Sequence, residues 1–304
     1  MRGLMSPPYL DDYSEYAARR AREQPGAGAA PLVSIVTVAF NAVATISRTI
    51  GSVQAQSFAS IEHILVDGGS SDGTLDIIRN LARPQDYWIS EEDRGISDAF
   101  NKGVTLARGR YVQILNADDW LSPDQIQCGV AALEETGADF IFGDLMFYEG
   151  GNPIFHYAGD PHYARSIHRR CPSVGHPTVL ASRAAFARIG LFDLRYRNAM
   201  DYDWLLRLHR AGGQGAYCAA IVGHMSHDGV SNLQFARTID EVRKIAIAHG
   251  RSALLANCEA QARLLKTAVS RPVKRYFHPL YRFCRRIINP SYRPVIAKPA
   301  KISA

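Results

Sequence analysis

No run of about 18 predominantly apolar residues occurs in these 304 residues, which argues against a transmembrane helix. The five cysteines (Cys128, Cys171, Cys218, Cys258 and Cys284) are scattered, odd in number and without a Cys-x-x-Cys pair. Neither a disulfide framework nor a cysteine zinc site is indicated, and a reducing cytoplasm fits best. The N-terminus shows no apolar core after Arg2 and no small-residue cleavage site, the marks of a secretion signal. A Gly-x-Gly-x-x-Gly is also missing, so there is no dinucleotide fingerprint. From Ala260 to Ala304 there is no Asp or Glu, against eleven Lys and Arg. Without those eleven cations the formal net charge of +6 becomes −5 for residues 1–259, so a mildly acidic body precedes a strongly basic tail.

What is present describes an ordinary folded α/β protein, with 47% hydrophobic and 21% charged residues. Residues 1–30 mix charge with Pro, Gly and Ala and read as a flexible arm, with a short helix around Tyr13–Arg22. From Pro31 the pattern changes. Leu32–Phe40 is a β-branched run suited to a parallel strand buried on both faces. Further strands are expected at Ile61–Asp67, Tyr87–Ser90, Arg110–Asn116 and Asp139–Asp144. Helices fit between them at Thr45–Gln56, Asp72–Ala82, Ser97–Ala107 and from a Ser122 cap to Thr136, with Gln125 completing a capping box. Later helices are expected at Arg183–Ile189, Tyr202–Arg210, Phe235–His249 and Ser252–Ser270. The alternation predicts a doubly wound, mostly parallel sheet flanked by helices, whose ligands bind beyond the carboxyl ends of the strands. The domains expected are an arm over 1–30, an α/β domain over 31–250 and a helical, basic extension over 251–304.

Those strand ends carry the chemistry. The first stops at Phe40-Asn41 and the second runs into Asp67-Gly68-Gly69-Ser70-Ser71-Asp72-Gly73-Thr74. Glycine permits close backbone approach, and Asp67 could accept from a base or ribose; a tight turn capped by Asp72 or a serine is the plainer reading. Asn116-Ala117-Asp118-Asp119 ends the fourth strand. Adjacent carboxylates repel unless they share a cation, and hard oxygens suit Mg²⁺ or Mn²⁺. The alternative is a solvated loop. Asp201 and Asp203 open a helix, where they either favour its positive end or supply a general base. His176, His224 and His227 match no zinc motif and are ordinary histidines by default.

Taken in order, Pro31–Asn41, Val66–Thr74, Ser90–Gly103, Leu115–Asp119 and Asp201–Arg207 resemble the family 2 glycosyltransferases, over roughly residues 31–250. The likeness is strongest to bacterial enzymes of exopolysaccharide and colanic-acid-type assembly. The resemblance implies a GT-A-type fold and inverting, non-processive transfer of a hexose from a nucleotide-diphospho-sugar, UDP-linked by default. The acceptor implied is a glycan or lipid-linked hydroxyl. By position, Val38, Phe40, Asn41, Asp67, Gly68, Asp93 and Asp118 would hold the donor, and Asp118, Asp119 and His227 the Mg²⁺ or Mn²⁺. Asp201 would be the base, with His176 and Trp204 near the acceptor. Asn116 and Met200 depart from the family, which often has Asp and Glu there. The Gln-x-x-Arg-Trp signature of processive synthases is absent.

In the tail, Val273, Tyr276, Phe277, Leu280, Tyr281, Cys284, Ile287 and Ile288 form one apolar stripe, interrupted by Pro279 and flanked by cations. Such a helix either lies on an anionic membrane or packs on the domain. The implied lipid-linked acceptor favours the membrane, on the inner face of the cytoplasmic membrane. Nothing recommends nucleic acid beyond charge. A sugar nucleotidyltransferase and a catalytically weakened nucleotide-sugar-binding module are the competing readings. The first lacks its basic glycine-rich loop, and the second is opposed by Asp118, Asp119 and Asp201.

Overall fold

The computed structural model describes residues 13–24, 30–168, 171–226, 235–276 and 292–294. Helix α1 (Ser14–Glu23) precedes β1 (Val33–Ala39), α2 (Ile46–Gln54), β2 (Ile61–Asp67), α3 (Thr74–Leu81), β3 (Tyr87–Ser90), α4 (Ile96–Leu106) and β4 (Tyr111–Asn116). Then come β5 (Trp120–Leu121), α5 (Gln125–Thr136), β6 (Phe140–Glu149), β7 (Asn152–Tyr157), β8 (Leu180–Ser182), α6 (Arg183–Ile189) and α7 (Met200–Arg210). The chain continues through β9 (Gly215–Ser226), α8 (Phe235–Ala248), α9 (Ala253–Tyr276) and β10 (Tyr292–Pro294). The described strands form one sheet in the order β10-β7-β6-β8-β4-β1-β2-β3, with β9 beside β6 and β5 on β9.

Strand β1 is buried at every position because it lies between β2 and β4, parallel to both, with helices on each face. Alternate side chains divide between two cores. Val36, Val38, Ile64 and Val66 pack with Phe100 and Val104 of α4. On the other face, Leu65 joins Ile46 and Ile50 of α2 and Ile78 of α3. The α/β architecture expected from the sequence is thus present, with its parallel half at β3-β2-β1-β4. Of the antiparallel part, the strand expected at Asp139–Asp144 is the first half of β6, whereas β7, β8 and the long β9 carried no separate signal.

Two local expectations need correcting. Residues 13–24 are not a loose arm: Tyr13 is 1% exposed and its hydroxyl donates to Asp98 of α4. Arg20 lies buried 2.6 Å from Glu62 on β2. Residues 1–12 and 25–29 of the arm lie outside the described residues. Nor does Ser122 cap α5: its hydroxyl donates to the carbonyl of Val222 on β9, and Asp124 holds the cap position. Gln125 donates to the Pro177 carbonyl rather than closing a capping box. The C-terminal stripe falls mostly beyond Tyr276, outside the described residues. Among the described residues no helix is long and apolar enough to cross a membrane.

Candidate active site

Parallel pairing in register brings the strand ends into one row. Ala39 faces Asp67, Asp67 faces Ser90, and Val38 faces Asn116. The loops beyond β1 and β2 then bind each other. Asn41 donates its backbone N–H to Ser70 Oγ (2.8 Å), and its side-chain oxygen accepts from Ser71 N (3.0 Å). Asp72 accepts from Val43 N at 3.0 Å. Asn41 adopts φ 49°, a left-handed conformation its short polar side chain tolerates. The buried Asp67 carboxylate accepts from Ser70 N, Ser70 Oγ and Ser90 Oγ, so it organises the loop whatever else it binds. A Cβ on Gly68 would stand 2.3 Å from Asp93 Oδ2, so glycine is what lets Asp93 close on the loop. Asp93 accepts from Gly95 N (2.7 Å), and burial raises its carboxyl above the usual range. Phe40 stands 65% exposed beside Gly68, an aromatic face open to a flat ring. Val38, by contrast, puts its side chain in the core under α4, and its carbonyl accepts from Ala117 N.

Beyond β4, Asp119 is 1% exposed. Its carboxyl is raised well above the ordinary range by burial and then by the charge of Asp118; burial raises Asp118 too. The contacts on Asp119 are long, 3.4 Å from Ser226 N and 3.5 Å from Asn116 Nδ2. Among the described residues Asn116 Oδ1 is buried without a partner. Two adjacent, weakly satisfied carboxyl groups and an orphaned amide oxygen are the donor set a hard divalent cation takes. The residues therefore fit Mg²⁺ or Mn²⁺. The described residues hold no cluster of three or more His, Cys, Asp or Glu able to bind a metal, and His227 lies outside them. Mg²⁺ usually keeps several waters and binds substrate phosphates, so two carboxylates suffice.

Helix α7 separates the roles of its two acidic residues. Asp203 is held by Arg207 Nε at 2.8 Å and His249 Nε2 at 3.1 Å. Among the described residues, Asp201 accepts only from the neighbouring Tyr202 N (2.7 Å). It lines a largely apolar cavity with His176, Trp204, Val174 and Phe192. The residue keeps some contact with solvent, yet burial of its carboxylate among these walls pushes it up to about 6. His176 stacks on Phe100 at 5.2 Å, both its ring nitrogens buried without partners among the described residues, and burial lowers it to about 4, favouring the neutral ring. Trp204 is 2% exposed, packed on Phe186, and its indole N–H donates to the Gly190 carbonyl, so it offers the cavity a wall and no donor.

Two neighbours of the site, Arg48 and Glu241, escaped sequence reasoning, and a third, His224, reads from the sequence as an ordinary histidine. Arg48 of α2 donates to the Asp118 carbonyl (2.9 Å) and lies 3.7 Å over the Trp120 ring. His224, across from Trp120 on β9, stacks on it at 5.3 Å. Glu241 of α8 binds the chain entering α7. Each is distant in sequence from the motif it touches, so no spacing rule could find it.

Residues 34–190 match the family model described as Glycosyl transferase family 2. A PGL/p-HBAD biosynthesis glycosyltransferase of Mycobacterium bovis is 33% identical over 184 residues, 59% of this chain and 70% of that protein. Escherichia coli chondroitin synthase is 31% identical over 60% of this chain and 27% of its own length. Among solved structures, a mannosyltransferase from Pyrobaculum calidifontis in complex with GDP-Man and Mn²⁺ superposes with a TM-score of 0.57 and 18% identity, covering 92% of this chain and 88% of that one. S. aureus TarS in complex with UDP-GlcNAc gives 0.56 and 15%, over 74% and 69%. The structural likenesses show the fold, GT-A in type, and the sequence match shows the family: the chain belongs to glycosyl transferase family 2.

Proposed function

We propose that this glycosyltransferase moves a single hexose from a nucleotide-diphospho-sugar to a hydroxyl by direct displacement with inversion. Phe40 and the Asn41–Asp67–Gly68 loops bind the nucleoside, and Asp93 faces the sugar. Asp118 and Asp119 would hold Mg²⁺ or Mn²⁺, which would supply positive charge beside the departing diphosphate. In the step itself, the acceptor oxygen forms a bond to the anomeric carbon as the carbon–diphosphate bond breaks. Asp201 takes the acceptor's proton, a contribution of about 10²–10⁴-fold. A carboxyl raised to about 6 suits that task, since a base works best near the operating pH. His176 borders the same cavity as a neutral acceptor-side group.

The single observation that supports this most is the division of the acidic groups. An adjacent pair suited to a cation, Asp119 buried and Asp118 half-buried, stands beyond β4, while a separate carboxyl of raised pKa stands at the head of α7. A UDP-linked donor remains the default, and the neighbours solved with UDP-GlcNAc and GDP-Man favour a nucleotide sugar. The relatives' names favour a glycan or glycolipid acceptor, as in cell-surface polysaccharide assembly. The basic tail fits contact with an anionic membrane, on its cytoplasmic side.

The test is release of nucleoside diphosphate from UDP-, GDP- and dTDP-sugars with Mn²⁺, with Mg²⁺ and with EDTA. Release from one donor, lost with EDTA and in Asp119→Ala and reduced at least about 100-fold in Asp201→Ala, is the expected outcome. Unchanged release in EDTA would remove the metal from the reading. Failure of every donor to bind in calorimetry with metal present would remove the donor.

A further inference from the structure

Glu241 belongs to α8, outside the residues matched to the family, and is 5% exposed. Its Oε2 accepts the backbone N–H groups of Arg197 (3.0 Å), Asn198 (2.7 Å) and Ala199 (3.0 Å). The Asn198 amide stands 3.5 Å from Oε1, as the Arg237 guanidinium does at 3.4 Å. Three amides converging on one carboxylate oxygen fix the path of the chain that carries them. That chain is the entry to α7, whose cap position is Ala199, two residues before Asp201. Alanine supplies no side-chain cap, so the entry angle of the helix is set from outside, by Glu241. A second fastening lies on the same helix: His249, just past α8, meets Asp203, and Arg210 donates to the His249 carbonyl.

We propose that Glu241 is a positioning residue for the transfer reaction: by clamping residues 197–199 it sets the orientation in which α7 presents Asp201 to the acceptor. The proposal rests on Asp201 being the base. A carboxylate held by main-chain donors is a rigid tether, whereas the Asp201 side chain receives one local hydrogen bond among the described residues and borrows its placement from the helix. The charge of Glu241 also adds to burial in raising the Asp201 carboxyl. An acidic residue at 241 thus bears on both where the base stands and when it is ionised.

The test is a double-mutant cycle on the full chain. Turnover is read as nucleoside diphosphate release from UDP-GlcNAc or GDP-mannose, whichever the wild type hydrolyses, for wild type, Glu241→Ala, Asp201→Asn and the double variant. Glu241→Ala is expected to lower kcat roughly 10- to 100-fold with the donor KM within about 2-fold of wild type, because misplacing a base costs rate rather than donor binding. In the Asp201→Asn background the same substitution costs nothing further. Glu241→Gln, which keeps an acceptor oxygen and loses the charge, moves the acid limb of the pH profile to lower pH, and Glu241→Asp recovers part of the rate. The proposal is overturned if Glu241→Ala lowers only the melting temperature, or slows both backgrounds by the same factor. Should Asp201→Asn alone turn over like wild type, the base assignment itself falls, a result visible without any change at 241.

Discussion

Gly68 shows how little room the loop beyond β2, the proposed donor side, leaves. Its missing side chain admits Asp93, and an added Cβ would have to displace that carboxylate. The obstructing atom is the end of a side chain, so the fold can yield where the site cannot. Gly68→Ala is expected to raise the donor KM about 10-fold while the melting temperature shifts by no more than about 2 °C. Steady-state kinetics beside a thermal melt check this; a variant with native KM would mean that Asp93 does not approach the sugar. Asn41, Asp67 and Asp72 act differently. Their polar atoms face the loops they cross-link, so their effect on a ligand passes through loop shape.

At the scale of elements, α1 is the instructive case. Its mixed, charged sequence lacks the apolar stripe of a core helix, yet Tyr13, Tyr16 and Arg20 reach the domain through polar ends. Tyr16 and Arg19 both bind Glu91, two residues from Asp93, and Lys102 of α4 meets the same carboxylate at 2.9 Å. The helix thereby braces the loop that carries a donor-side residue. Arg20 and Glu62 are a buried pair, and Arg108 adds a second cation at 3.1 Å. Removing Arg20 leaves the buried Glu62 with the partly exposed Arg108 as its remaining counterion, so Arg20→Ala should cost about 3 kcal/mol in urea unfolding, the low end of what breaking a buried pair costs. A loss below about 1 kcal/mol would show α1 to be a passive attachment.

For the whole molecule, pH is the simplest handle on what is buried. Burial lowers His63, whose ring meets Thr37 inside the sheet, to about 4, and His176 likewise. The unfolded chain protonates both near pH 6.5, and the folded one does not. Their contribution to stability is therefore complete above about 6.5 and is lost as the pH falls towards 4. Asp201 has the opposite sign: raised to about 6, it favours the fold at low pH and loses that contribution as the pH rises from about 4 to 6. The carboxyls of Asp93, Asp118 and Asp119 are raised by burial as well and share the sign of Asp201, so His63 is isolated by substitution. Going from pH 7 to pH 5, calorimetry should show a less favourable change in melting temperature for wild type than for His63→Gln. Equal changes in the two proteins would show that His63 is not buried neutral.

The sequence by itself determined the parallel half of the sheet and the identity of its end residues. Strands buried on both faces demand unbroken β-branched runs, as in Val33–Ala39, and a turn at a strand's end demands Gly, Asn and Asp in short order. It also determined that Asp118 and Asp119 would be adjacent and Asp201 at a helix start, because those are relations along the chain. Only the tertiary structure decided which acidic residue of α7 is left available. Asp203 is taken up by His249, 46 residues away, and the chain leading to Asp201 is bound by Glu241, 40 residues from it, through a contact that neither motif encodes. It likewise decided that Trp204 spends its polar group on Gly190 and that Arg48 stands over Trp120 beside the acidic motif. The physical reason is common to all of these. A pattern along the chain records which face a residue turns to the core, whereas hydrogen-bond partners and burial of charge are fixed only when distant elements pack.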